Sequence, residues 1–263
     1  MADEYKNHQF KKSLGQNFLK HSGIARDLVD AANIKIGDLV IEIGPGQGMV
    51  TKEILALTKN VILIEKDNNL EALLREQYGS SVKIIMKDVL EINYSEITSQ
   101  NDYIVIGSLP YNVSKKVIYN LLIGSHLPKR IAIIIQKEVA QDYAAKPPHA
   151  TLLSNFSQIY SDVNLHQVVS ADSFFPEPKV DGQIIVFSNI TPKYLDHKAL
   201  WGFIRSGFSS PRKIVASNLR QFGKEQVIRF LLNQGLSTTA RASELTLENW
   251  RGLYNQVKKK NND

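Results

Sequence analysis

The chemistry-bearing residue types cluster first at Glu42-Ile43-Gly44-Pro45-Gly46-Gln47-Gly48, directly after an apolar β-branched run. Glycines at Gly44, Gly46 and Gly48 let backbone N–H groups approach a ligand that side chains would hold off. Such a loop serves NAD, FAD or S-adenosylmethionine, and its spacing discriminates among them. A dinucleotide fingerprint starting at Gly44 needs a third small residue at position 49, where this chain has Met49. The spacing suits S-adenosylmethionine, a nucleoside cofactor with no pyrophosphate to seat. Glu65 closes the next apolar run and suits a carboxylate accepting two ribose hydroxyls, and Asp88 after the third run could take an adenine amine. Either acid alone could equally cap a following helix. Three such features at the C-terminal ends of three successive strands point to a cofactor site.

The elements that must position these residues follow from periodicity. Strands are predicted at Leu39–Ile43, Val61–Glu65, Val82–Met86, Tyr103–Ile106 and Ile131–Gln136, with helical patterns between them. One such helix is predicted over Asn68–Tyr78, and Ser114 is expected to cap another that carries Val117, Ile118, Leu121 and Leu122 on one face. Two further strands, near Asn164–Val169 and Gln183–Phe187, enclose Pro176 and Pro178 with no good helix between them. They are expected to pair antiparallel at the sheet edge. After Thr191-Pro192 strand signals stop and helices are predicted at Asp196–Phe208, Arg212–Phe222, Lys224–Gln234 and Leu247–Lys259. The expected class is α/β: a Rossmann-like, seven-stranded, mostly parallel sheet in residues 1–190 and a small all-α domain in residues 191–263.

The chain has 263 residues, 32 Lys and Arg against 26 Asp and Glu, and a formal charge of +6. That charge is unevenly placed. Residues 1–190 hold 19 basic and 21 acidic side chains, whereas residues 191–263 hold 13 and 5. Between positions 205 and 229, Arg205, Arg212, Lys213, Arg220, Lys224 and Arg229 face one acid, Glu225, a pattern that suits phosphate contact. Lys11, Lys12 and Lys20 could extend that track. There is no cysteine, which removes disulfide and thiolate chemistry and fits a reducing compartment. The six histidines show no metal-ligand spacing, so no metal is expected. With no apolar leader and no span-length hydrophobic run, a soluble cytoplasmic protein, a monomer without a membrane partner, is expected.

The fourth strand runs into Gly107-Ser108-Leu109-Pro110-Tyr111-Asn112. This loop resembles that of methyltransferases acting on exocyclic base amines, which reads Asn or Asp, any residue, Pro, then an aromatic. Collinear blocks narrow the resemblance: Lys11-Lys12-Ser13-Leu14-Gly15-Gln16-Asn17-Phe18-Leu19, Gln136-Lys137-Glu138-Val139, Phe174-Phe175-Pro176-Glu177-Pro178-Lys179-Val180-Asp181, Phe208-Ser209-Ser210-Pro211-Arg212-Lys213 and Arg241-Ala242-Ser243-Glu244-Leu245. Together they resemble the class I ribosomal RNA adenine dimethyltransferases, and more closely the housekeeping members than the macrolide-resistance members that act on large-subunit RNA.

The resemblance implies transfer of methyl groups from S-adenosylmethionine to two adjacent adenines near the 3′ end of small-subunit RNA, on the RNA or a 30S assembly intermediate. It implies cofactor contacts from Asn17, Leu19, Gly44, Gly46, Gly48, Glu65, Asp88 and Ser108. It places Gln16 at the target, Tyr111 and Phe175 on the two faces of the adenine, and the carbonyls of Leu109 and Pro110 as acceptors for amine hydrogens. RNA contacts would come from Lys11, Lys12, Gln16, Arg205, Arg212, Lys213 and Arg220. Two positions depart from the family pattern. Ser108 replaces the usual asparagine, shortening the side chain that should accept from the amine. Pro211 stands where many relatives carry arginine, and is expected to start the next helix instead. The serine opens a second possibility, a ribosome-assembly or RNA-binding factor with weak chemistry.

Overall fold

In a computed structural model the described residues are 16–98 and 102–260. Lys11 and Lys12 lie outside them. The main sheet contains β2 (Leu39–Ile43), β3 (Val61–Glu65), β4 (Lys83–Met86), β5 (Tyr103–Ser108), β6 (Arg130–Gln136), β7 (Asp162–Val169) and β9 (Gly182–Ser188). Their spatial order is β4-β3-β2-β5-β6-β9-β7. The first five run parallel, while β9 is antiparallel to both β6 and β7. The parallel core explains its own sequence: strands covered on both faces read as unbroken apolar runs, such as Val61-Ile62-Leu63-Ile64 and Ile131-Ala132-Ile133-Ile134-Ile135, all buried. The edge strand β7 is mostly exposed and slips register between Leu165 and Val168.

Between these strands lie α1 (Ser22–Ala32), α2 (Met49–Leu55), α3 (Glu71–Tyr78), α4 (Tyr94–Ile97) and α5 (Ser114–Ile123), with α1 preceding β2. From β2 the chain proceeds outward through β3 to β4, then returns to place β5 on the other side of β2. The reversal leaves a crevice above the C-terminal ends of β2 and β5, the place where open α/β sheets bind ligands. A second, two-stranded sheet pairs β1 (Phe18–Leu19) antiparallel with β8 (Phe174–Phe175), matching Phe18 with Phe175 and Leu19 with Phe174.

The described chain divides into two compact units. One contains Asp162–Thr191 and the described residues up to Ala140; the other contains Gln141–Ser161 and those from Pro192 onward. Helix α6 (Lys137–Ala144) runs from the first into the second, which also holds α7 (Leu152–Tyr160), α8 (His197–Gly207), α9 (Val215–Asn218), α10 (Lys224–Asn233) and α11 (Leu247–Lys260). Its core contains Trp250, fully buried with the Phe203 and Phe208 rings beside it, together with the buried α10 residues Val227 and Leu231. Gly207 is required there, because a Cβ would come within 2.2 Å of the Trp250 ring.

Three local expectations change. Asn68–Tyr78 is a 3-10 turn, Asn68–Leu70, followed by α3, with Asp67 accepting from the Asn69 N–H at the start. Ser114 is the first residue of α5, and its hydroxyl donates to the Tyr111 carbonyl at 3.3 Å. Arg212–Phe222 is not one helix: α9 has four residues and a 3-10 turn covers Arg220–Phe222. Ile214 is held extended by a bridge to Arg241, which stops a helix from starting at Pro211, a turn residue.

Candidate active site

The glycine loop takes its shape from three positive φ angles, 68° at Gly44, 59° at Gly46 and 83° at Gly48, a region L side chains rarely enter. The Gly48 N–H closes a turn onto the Pro45 carbonyl at 2.9 Å, and α2 starts at once. Space demands glycine as well. A Cβ at Gly46 would stand 2.5 Å from the Phe18 ring, and one at Gly48 would stand 2.4 Å from Tyr78, whose hydroxyl donates to the Gly48 carbonyl at 3.0 Å.

Below the loop sit the acids. Glu65, 6% exposed at the end of β3, accepts the Lys66 and Asp67 N–H groups at 2.8 Å on Oε1 and the Gly46 N–H at 3.3 Å on Oε2. Burial raises its pKa against the pull of those three donors. Asp88 accepts from the Leu90 N–H at 3.0 Å on Oδ1 and pairs through Oδ2 with Lys66 Nζ at 2.7 Å. The Lys66 hydrogen bond leads in holding its carboxyl below the usual range. Two further acids, to which the sequence assigned no contact, complete this end. Glu42 is buried and accepts from the Thr51 hydroxyl at 2.6 Å, with burial pushing its pKa up to about 8. Asp67, fully buried, accepts from Gln16 Nε2 at 2.8 Å. The Asp67-Asn68-Asn69 turn signal could have flagged Asp67, but a partner 51 residues away could not be read locally.

The opposite end is the Ser108–Tyr111 loop at the end of β5. The two ends nearly touch: a Cβ on Gly44 would stand 4.0 Å from the Ser108 carbonyl oxygen. A cleft of about 720 Å³ joins them, lined by Gln16, Asn17 and Leu19, by the three glycines, Glu65 and Asp88, and by Ser108 through Tyr111. Its size is that of a small-molecule site. The two carbonyls expected as acceptors differ. That of Pro110 already accepts the Val113 and Ser114 N–H groups at 3.2 Å, whereas that of Leu109 receives no hydrogen bond among the described residues. Tyr111 is half-buried, its hydroxyl is buried with no hydrogen-bond partner among the described residues, and burial with the nearby Asp181 charge pushes its pKa up to about 12.

Successive side chains of a strand point to opposite faces, and β8 separates its two phenylalanines accordingly. Phe174 is 2% exposed, joins the core and lines the cleft; Phe175 is 40% exposed and does not line it. In the second unit, Arg205, Arg212, Lys213 and Arg220 are all exposed, and none lies within 4 Å of a carboxylate among the described residues. Among the described residues no group of three His, Asp or Glu could hold a metal ion, and no helix is long and apolar enough to cross a membrane.

Comparison with known proteins joins these observations. The family model for ribosomal RNA adenine dimethylase matches residues 7–259. The ribosomal RNA small subunit methyltransferase A of Metamycoplasma arthritidis is 35% identical over 251 residues, covering 93% of this chain and 95% of the relative. The protein of the same name from Mycoplasma capricolum is 32% identical over 258 residues, covering 94% and 97%. Among solved structures, a dimethyladenosine transferase from Plasmodium falciparum superposes with a TM-score of 0.78 at 22% identity, over 93% of this chain and 98% of that one. The 23S rRNA methyltransferase ErmE does so with a TM-score of 0.76 at 20% identity, over 92% and 100%, and both show the same fold. With the match running almost end to end, the chain belongs to the ribosomal RNA adenine dimethylase family.

Proposed function

We propose that this enzyme transfers methyl groups from S-adenosylmethionine to the exocyclic amines of two adjacent adenines near the 3′ end of small-subunit ribosomal RNA. The observation that carries this reading is one cleft lined both by a nucleoside-type cradle and by the Ser108–Tyr111 loop. The cradle fits the cofactor. Gly46 packs on the Phe18 ring and Gly48 on the Tyr78 ring, which fixes the loop around the cleft, Glu65 can turn Oε2 from a long 3.3 Å contact to ribose hydroxyls, and Asp88 can accept from an adenine amine. When bound, S-adenosylmethionine supplies a methyl group on a positively charged sulfur, open to attack by a nitrogen lone pair.

The chain's own part is to prepare that nitrogen. An adenine amine is a poor nucleophile because its lone pair is delocalised into the ring. The Leu109 carbonyl and the Ser108 hydroxyl accept its hydrogens, favouring a pyramidal nitrogen whose lone pair faces the cradle. Tyr111 stacks on the extruded base, and the phenylalanine that shares the cleft with it is Phe174, not the expected Phe175. The cations Arg205, Arg212, Lys213 and Arg220, with Lys11, Lys12 and Gln16, hold the RNA of a 30S assembly intermediate, and residues 191–263 form the RNA-docking domain. The small-subunit assignment rests on curated relatives at 31–35% identity that carry that name. Labelled methyl transfer to under-methylated small subunits should be detected and lost in Glu65→Ala; no transfer by the unaltered protein rejects the proposal.

Ser108 favours one second reading, an assembly factor whose methylation is slow. It expects salt-sensitive small-subunit binding that persists without cofactor while turnover stays low.

A further inference from the structure

Helix α5 starts three residues after Tyr111, and the preceding Asn112 and Val113 line the cleft. Its inward face, Ser114, Val117, Ile118, Leu121 and Leu122, is buried. The outward face carries Lys115, Lys116, Tyr119, Asn120 and Ile123, all exposed, and the helix contains no acid. Two features separate this face from an ordinary solvated one. Both lysines sit in the first helical turn, where the helix dipole disfavours cations and most helices place acids. Neither meets a carboxylate within 4 Å among the described residues, although the Lys116 charge reaches Asp88 at the cleft. One turn beyond Lys115, Tyr119 leaves 39% of its surface exposed.

We propose that this face binds the single-stranded RNA flanking the target adenine, with Lys115 and Lys116 on its phosphates and Tyr119 stacking on a neighbouring base. The identity of the polymer rests on the function proposed above; the surface rests on its own charge and placement. A base presented to the cleft has left its stack, so its neighbours' backbone must leave the cleft over the adjoining surface. Cations in line with an exposed ring are how single strands are held without reading sequence. The face is continuous with the loop that receives the base, and its charge is complementary to the only polyanion that loop is expected to meet.

The test is fluorescence anisotropy with a labelled single-stranded RNA of about ten nucleotides carrying two central adenines, in rising KCl. Lys115→Gln with Lys116→Gln should weaken binding by about tenfold and reduce the log–log salt slope by about 1.4, or 0.7 for each lost phosphate contact. The matching double change to arginine should restore both. Tyr119→Ala should weaken binding by about tenfold whatever the flanking sequence, and Tyr119→Phe should not. In methyl transfer, the double glutamine variant should raise the KM for small subunits with kcat retained. Unchanged affinity and slope in that variant overturn the proposal. So does weaker binding to whole subunits with unchanged binding to the oligonucleotide, which assigns the face to a protein. Calorimetry with S-adenosylhomocysteine separates the two readings. Equal affinity in all variants shows an intact cleft, while no binding by the unaltered chain rejects the cofactor assignment and leaves the anisotropy result standing.

Discussion

The two ends of the cleft are built to different standards. At the glycine-loop end, every acid is already satisfied by the protein: Glu65 by three backbone N–H groups, Asp88 by Leu90 and Lys66, Glu42 by Thr51, Asp67 by Gln16 and Asn69. At the Ser108 end, the Leu109 carbonyl receives no hydrogen bond among the described residues and the Tyr111 hydroxyl is buried unpaired. The first end is pre-formed, with Glu65 held by backbone N–H groups, Glu42 by the Thr51 hydroxyl, and Asp67 and Asp88 by both backbone and side-chain donors. The second is left for the substrate to complete. On the function proposed above, a catalyst gains from that arrangement, since a pre-formed cofactor site costs little to fill while unmet acceptors strengthen only as the reacting amine arrives.

The strongest blow to the finished end is Gly46→Ala. A residue strained at φ 59°, with its Cβ 2.5 Å from the Phe18 ring, should lower S-adenosylhomocysteine affinity by about ten- to a hundredfold in calorimetry. Wild-type affinity would mean the loop is less fixed than its contacts imply. Ser108→Asn sharpens the unfinished end, where a longer amide acceptor should raise kcat by about tenfold or more, with cofactor affinity unchanged. No gain would show that the Leu109 carbonyl alone suffices.

Glu42 tests the finished end through pH. Its carboxyl keeps a proton up to about pH 8 in the fold but ionises near 4.5 when unfolded, so its contribution to stability is full below pH 4.5 and is lost as pH rises through 8. Glu42→Gln should therefore melt several degrees higher than the parent at pH 8.5 and close to it at pH 5. A parallel shift at both values would contradict a protonated Glu42. The smallest effect belongs to Tyr111→Phe, which removes an unpaired buried hydroxyl and should stabilise the free protein by about 1 kcal/mol in denaturant titration while preserving the stacking ring.

Much of this was legible in the sequence for a physical reason. Doubly covered strands read as continuous apolar runs, so the parallel strands of the main sheet were legible, while its antiparallel pair was legible because Pro176 and Pro178 leave no room for a helix between them. The glycine loop announced itself because positive φ and close approach leave no other residue. What stayed hidden depends on distant partners. The break before α9 comes from the bridge of Ile214 to Arg241, and the placing of α7 in the helical unit goes with such links as the Ala150 N–H to the Ser243 carbonyl. Glu42 looked like part of a motif, and only Thr51 folding over it shows how a buried acid is tolerated. Phe175 was expected at the base, but it is Phe174 that lines the cleft, a choice that a two-residue strand has no periodicity to announce.

The commitment of the Pro110 carbonyl to the start of α5 also limits how many hydrogens the loop can hold. On the roles proposed above, two acceptors, Leu109 and Ser108, match the two hydrogens of an unmodified amine. After one transfer a single hydrogen remains, and the Leu109 carbonyl can take it alone. The short serine then penalises the first methylation more than the second, so singly methylated adenine should be consumed faster than it forms, and product should emerge as the doubly methylated base with little intermediate.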